Sequence, residues 1–120
     1  MKTIYFSHSH HVDYENEFYK PLLESKLSSC YDLILPHGSL YDGVDTREML
    51  INSDYLIAEV SYPGTGIGLE LGRAESNNVP IICFIKKGFK CSSSVKRSFE
   101  VIEYSDSEDM IKKIENIFLK

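Results

Sequence analysis

This sequence predicts a single α/β domain: a parallel sheet of about five strands with helices on both faces. Three observations lead there. Apolar runs of strand length recur along the 120 residues, and two of them, 55–60 and 80–85, are apolar almost throughout, as strands covered on both faces are. Segments with helical apolar spacing lie between the runs. Polar loops bearing Gly, Ser or His follow the runs, at the strand ends where open α/β sheets bind their ligands.

The elements follow in order. Residues 3–6 form the first strand and give way to the polar run Ser7-His8-Ser9-His10-His11. A helix is expected from Asp13 or Tyr14 to about Ser28, with Phe18, Leu22, Leu23 and Leu27 near helical spacing. Pro21 either kinks it or marks a late start, since proline lacks the N–H that a helix interior needs. Residues 32–35 make a second strand, stopped by Pro36, and 37–45 a loop rich in Gly, Asp and Ser. Thr46 is placed as the cap of a short helix ending near Ser53. Residues 55–60 are a strand, 69–77 a helix, and 80–85 a further strand. A polar loop over 86–94 and a final strand over 99–104 follow. Ser107 is then placed as the cap of a last helix, with Met110, Ile111, Ile114, Ile117 and Phe118 on one face. Strands and helices in this alternation give a Rossmann or flavodoxin-like arrangement in one domain, 1–120.

Composition narrows the function. The formal net charge is −5, with acidic residues spread along the chain, which argues against a broad nucleic-acid surface. The three cysteines, Cys30, Cys83 and Cys91, are odd in number and lack metal-finger spacing, so neither a disulfide framework nor a zinc site is expected. Cys83, inside an apolar run, is expected in the core. The start of the chain does not resemble a signal peptide, and no run is long enough to span a membrane, so a cytoplasmic location is expected.

The densest chemical signal runs from Ser61 to Ala74. It carries Pro63, Gly64, Gly66 and Gly68 on a strand-to-helix turn, with the carboxylate of Glu70 expected in the first turn of the helix. Such a turn admits a ligand close to the backbone and offers unpaired N–H groups, and a helix N-terminus favours an ionised carboxylate. A loop of this kind can hold an anionic or sugar-like ligand against a nucleophile.

Ala58-Glu59-Val60 followed by Gly66-Ile67-Gly68-Leu69-Glu70-Leu71-Gly72-Arg73-Ala74 resembles the hallmark of the nucleoside 2-deoxyribosyltransferase superfamily, which includes the 2'-deoxynucleoside 5'-phosphate N-hydrolases. The resemblance implies a fold of the kind derived above. It implies cleavage of the N-glycosidic bond of a deoxynucleoside or nucleoside 5'-monophosphate, with transfer to water or to another base. Glu70 takes the place of the nucleophile, which stabilises the oxocarbenium-like transition state and then forms a glycosyl-enzyme.

Other assignments rest on the same resemblance. Tyr5 and Ser9 match the turn after the first strand, where the serine of the phosphate-using branch touches the 5'-phosphate; His8 stands there in place of a glycine. Gly64, Thr65, Gly66 and Gly68 line the motif loop. Ser94 matches a serine that reaches the phosphate bound in a neighbouring subunit, which implies a homodimer or higher homo-oligomer. Two positions depart from the pattern. Thr46 stands where the family has an Asp that contacts the sugar, with Asp45 one residue earlier; Asp45 or Tyr5 is assigned to protonate the base or hold the sugar. Gly64 stands where transferases carry Asp and phosphate hydrolases Ser. These departures keep open a second class of function, a nucleotide-binding or sensing module without catalysis. The histidine cluster His8, His10 and His11 with Asp13 suggests a rival metal site, but one loop supplies too few ligands, so no metal or other cofactor is expected. The partner expected is a small-molecule nucleoside or nucleotide, with no nucleic-acid polymer and no membrane.

Overall fold

The computed structural model describes residues 1–38, 41 and 43–120. Part of the loop expected over 37–45 therefore falls on residues 39, 40 and 42, outside the described residues. Five strands form one parallel sheet: β1 (Thr3–Ser7), β2 (Asp32–Ile34), β3 (Tyr55–Glu59), β4 (Ile81–Lys86) and β5 (Val101–Tyr104). Their order is β2-β1-β3-β4-β5. The order reverses between β1 and β3, so the helices leaving these two strands diverge to opposite faces and open a crevice at their carboxyl ends. Register pairs Tyr5 with Leu56 and Ser7 with Ala58 across this junction.

Alternation along each strand divides the core in two. Ile4, Phe6, Ile57, Phe84 and Tyr104 point to one face and pack with Phe18, Leu22, Leu27, Met110 and Ile114. Those residues come from a π-helical turn (Glu15–Tyr19), α1 (Lys20–Glu24), α2 (Leu27–Cys30) and α6 (Ser107–Phe118). Tyr5, Leu56, Ala58, Cys83 and Ile85 point to the other face and pack with Leu50, Ile67, Leu71 and Ala74. These come from α3 (Arg47–Ile51) and α4 (Thr65–Ser76), and α5 (Ser93–Ser98) adds Val95 at the margin. Cys83 is a core residue as expected, and burial pushes its thiol up to about 12.

Several local expectations are corrected. The first helix is not continuous. Pro21 has no N–H for the Glu17 carbonyl, and the preceding turn widens so that the Lys20 N–H reaches the Glu15 carbonyl. Ser25 then turns extended and donates its hydroxyl to the Leu22 carbonyl at 2.6 Å, which separates α1 from α2. Thr46 does not cap α3 with its side chain, and Asp106, not Ser107, caps α6 by accepting from the Asp109 N–H at 2.8 Å. α5 is an element the sequence did not announce, capped by Ser92, whose hydroxyl accepts from the Val95 N–H.

The most consequential correction concerns α4. It begins at Thr65, not at 69, so Gly66 and Gly68 are helical and only Gly64, with an extended backbone, stays in the turn. Glu70 thereby moves to the second turn, where the field of the helix terminus has largely faded.

A second carboxylate holds the strand ends together. Glu59, 0% exposed, closes β3. It accepts from the Ser61 N–H at 2.8 Å, the Ser61 hydroxyl at 2.7 Å and the Tyr104 hydroxyl on β5. The Ser61 oxygen accepts in turn from the Lys86 N–H at 2.9 Å, so the ends of three strands converge on one buried group. Burial, followed by the hydrogen bond to Glu59, raises the Tyr104 phenol above its ordinary value, so it remains a donor.

Candidate active site

A cavity of about 570 Å³ opens at the carboxyl ends of β1 and β3. Its wall combines the loop after β1, the start of α3 and the first two turns of α4, three segments that the strand reversal brings together. Tyr5, Thr46, Gly64, Thr65, Gly66 and Glu70 line it. The first N–H groups of α4 have no carbonyl partner within the helix, and Thr65 to Ile67 face this space. Helical Gly66 and Gly68 leave open the places their Cβ atoms would occupy. Gly66 keeps the cavity wall bare there; Gly68 is not part of the lining.

Glu70 is fixed through both oxygens. The Tyr5 hydroxyl donates to Oε2 at 2.6 Å and the Ser7 hydroxyl donates to Oε1 at 2.7 Å. Tyr5 and Ser7 share a face of β1 because they are two residues apart, and that face meets α4. Thr46 Oγ1 lies 3.2 Å from the Tyr5 phenol oxygen, whose single proton is directed at Glu70. Burial raises the Tyr5 phenol above its usual value, and the Glu70 hydrogen bond adds to it, so Tyr5 keeps its proton at neutral pH. The donors that hold the carboxylate are thus two hydroxyls from β1 rather than the helix terminus. Ser7, 1% exposed, was not singled out from the sequence. Its place two residues after Tyr5 in a strand facing the motif helix was the available signal.

The opposite side of the cavity is built from imidazoles. His8, His10, His11 and His37 all line it. His8 is 4% exposed. Its Nδ1–H donates to the Ser9 carbonyl at 2.9 Å, which fixes the tautomer, and its Nε2 accepts from the Tyr19 hydroxyl at 2.7 Å. The Tyr19 oxygen accepts in turn from the His37 N–H at 3.0 Å. The His8 ring stacks on Tyr14, with centroids 4.8 Å apart. Burial lowers its pKa to about 4, so it is neutral at pH 7. His37 is also lowered, first by burial and then by nearby His10. Ser9 lines the cavity, and its oxygen accepts from the His11 N–H at 3.1 Å. Among the described residues, no group of three His, Cys, Asp or Glu side chains is placed to hold a metal ion.

Two assigned residues lie elsewhere. Asp45 is exposed and outside the cavity lining. Its carboxylate is gripped by the Arg47 guanidinium, with Nη2 at 2.6 Å, and this pairing lowers its pKa to about 2. It lies outside the cavity lining, whereas Thr46, the next residue, is part of that lining and takes the place expected for Asp45. Ser94 is exposed on α5 and is not part of the Glu70 cavity within one chain.

Strand order and site together define an open-sheet α/β domain with a carboxylate-lined cavity at its topological switch point. Comparison with known proteins makes the class specific. The chain is 32% identical to the 5-hydroxymethyl-dUMP N-hydrolase of Danio rerio over 99 residues, covering 72% of this chain and 66% of that protein. It is 39% identical over 64 residues, 50% of the chain, to a Methanosarcina mazei protein provisionally named a 2'-deoxynucleoside 5'-phosphate N-hydrolase, covering 40% of it. The chain thus spans just under two thirds of the first relative and less than half of the second. A CMP N-glycosidase of Clostridium botulinum shares the fold, with a TM-score of 0.71 over 95% of this chain and 99% of that one, at 13% identity. No family model matches the chain. The chain is thus similar to nucleotide N-hydrolases, in keeping with the resemblance of its motif to the nucleoside 2-deoxyribosyltransferase superfamily.

Proposed function

We propose that this protein cleaves the N-glycosidic bond of a nucleoside or nucleoside 5'-monophosphate, with a 2'-deoxy sugar preferred. The observation that carries the reading is Glu70, a carboxylate at the switch-point cavity held on both oxygens by Tyr5 and Ser7. A Glu70 oxygen attacks C1' of the sugar. The C1'–N bond breaks, and its electron pair leaves with the base, which takes up a proton. Water, or a second base in a transfer, then attacks C1'; the bond to Glu70 breaks and its electron pair returns to the carboxylate.

Thr46, beside the Tyr5 phenol, is placed to meet a sugar hydroxyl in the role first assigned to Asp45. Ser9, with the first N–H groups of α4 and the cavity's imidazoles, forms the polar surround for a phosphate or base. Ser94 completes the phosphate site of a neighbouring subunit in a homodimer.

The test is incubation with a panel of nucleosides and monophosphates, following free base by chromatography. Glu70→Gln and Glu70→Ala abolish base release while the fold and substrate affinity are kept, because the loss falls on the covalent step. Wild-type turnover by either variant refutes the nucleophile. A second reading, a nucleotide-binding or sensing module, is favoured by one observation: Asp45 is tied to Arg47 and leaves a threonine at the cavity. Stoichiometric nucleotide binding with no base released from any member of the panel establishes that reading instead.

A further inference from the structure

The Ser7 hydroxyl reaches Glu70 from outside the cavity wall. Ser7 sits at the end of β1, buried and paired in register with Ala58, and it is not part of the cavity wall. Among the described residues its hydroxyl bonds to Glu70 Oε1 alone, at 2.7 Å. We propose that Ser7 is a positioning residue that drives the second half of the reaction, the return of Glu70 from sugar ester to free carboxylate. The proposal rests on Glu70 being the nucleophile.

The argument follows the charge. In the resting site Ser7 donates to an ionised oxygen, and such a bond is roughly twice as strong as one between neutral partners. When Glu70 bonds to C1' its charge is neutralised and the Ser7 bond weakens. Ser7 therefore holds back the first step slightly, because it stabilises the reactant more than the transition state. In the second step water attacks C1', the C1'–O bond to Glu70 breaks, and the electron pair returns to the carboxylate while the water loses a proton to solvent. The charge that Ser7 favours is being regenerated, so the same bond now speeds the reaction. Tyr5 makes the matching bond to Oε2, but its phenol also faces the cavity and Thr46, so its removal would disturb the substrate too. Ser7 separates the two effects.

The kinetic signature is unusual. A residue that merely supports the fold lowers kcat/KM when removed. Loss of Ser7 slows ester breakdown, which appears in kcat and KM together and leaves kcat/KM, set by the first step, unchanged or raised. The experiment uses whichever member of the nucleoside and monophosphate panel the unaltered protein cleaves fastest. Ser7→Ala is expected to show a burst of base equal to the enzyme, with the substrate's glycosyl group as an adduct on Glu70 in the mass spectrum of acid-quenched protein. Its kcat and KM should fall in parallel by about tenfold or more, the rate ratio expected when a charged hydrogen bond loses its donor. Ser7→Cys, which keeps a weaker donor at similar size, should fall between. A parallel loss of kcat and kcat/KM without adduct overturns the proposal while leaving the nucleophile standing, as do unaltered kinetics in Ser7→Ala. Base release at the wild-type rate by Glu70→Gln, or none from any nucleoside or monophosphate of the panel by the unaltered protein, overturns the underlying reading and this role with it.

Discussion

Acid should loosen this fold through one histidine. His8 has a native pKa of about 4 against an ordinary 6.5, because burial disfavours its charged form. Above pH 6.5 the ring is neutral both folded and unfolded and contributes no pH dependence. As the pH falls below 6.5 the unfolded chain takes up a proton that the native state refuses, so stability declines until the native ring also protonates near pH 4. The slope is about 1.4 kcal/mol per pH unit, and the whole window amounts to about 3 kcal/mol. Protonation would also place a donor on Nε2, where the Tyr19 hydroxyl now donates. His8→Gln does not titrate and can still accept from Tyr19. It lowers stability at pH 7 by about 1 kcal/mol for the lost bond to the Ser9 carbonyl. Urea unfolding of both proteins from pH 7 to pH 4 is the assay, and the difference between the two curves isolates His8 from His10, His11 and His37, which both proteins retain. The expected result is that the curves meet near pH 6 and cross, the unaltered protein being about 2 kcal/mol the less stable by pH 4. Curves that stay parallel refute the claim that His8 is held neutral.

Two further outcomes are expected at the phosphate end of the site. Ser9→Ala and Ser94→Ala should weaken 5'-monophosphates more than free nucleosides, each by about 1.5–3 kcal/mol for a lost bond to a charged group; calorimetry showing equal losses for both ligand classes removes these serines from the phosphate site. Light scattering should show at least a dimer at micromolar concentration, since Ser94 is not part of the cavity lining of its own chain; a monomer with full activity refutes the shared site.

The fold was legible where burial dictates composition. Runs such as Ile81-Ile82-Cys83-Phe84-Ile85 fit the interior of a covered sheet, and the spacing of Met110 and Ile114 shows the buried side of α6. α5 left little trace because among its residues only Val95 packs against the core, so its stretch carries no apolar period. The start of α4 was misplaced for a different reason. Gly66 and Gly68 are commoner in turns, and the helix accepts them because Ile67 and Leu71 are anchored beneath. The position of Glu70 on the helix after β3 came from a local motif. Its partners did not, because Tyr5 and Ser7 are 65 and 63 residues away and meet it only once β1 and β3 pair. Asp45 and Thr46 show the finest limit: one residue of register along the entry to α3 separates a side chain in the cavity from one in solvent.

The bond network around Glu59 also bears on how the chain is made. Synthesis delivers β3 and β4 before β5, so the carboxylate and Ser61 emerge while Tyr104 is still absent. Until that phenol arrives, Glu59 lacks one of its three donor groups and is cheaper to leave in water than to bury. The strand ends are therefore tied together only when the final strand docks, and a chain halted before residue 104 lacks that tie. Tyr104 thus steadies, from the face of the sheet opposite Tyr5, the strand ends that frame the Glu70 cavity.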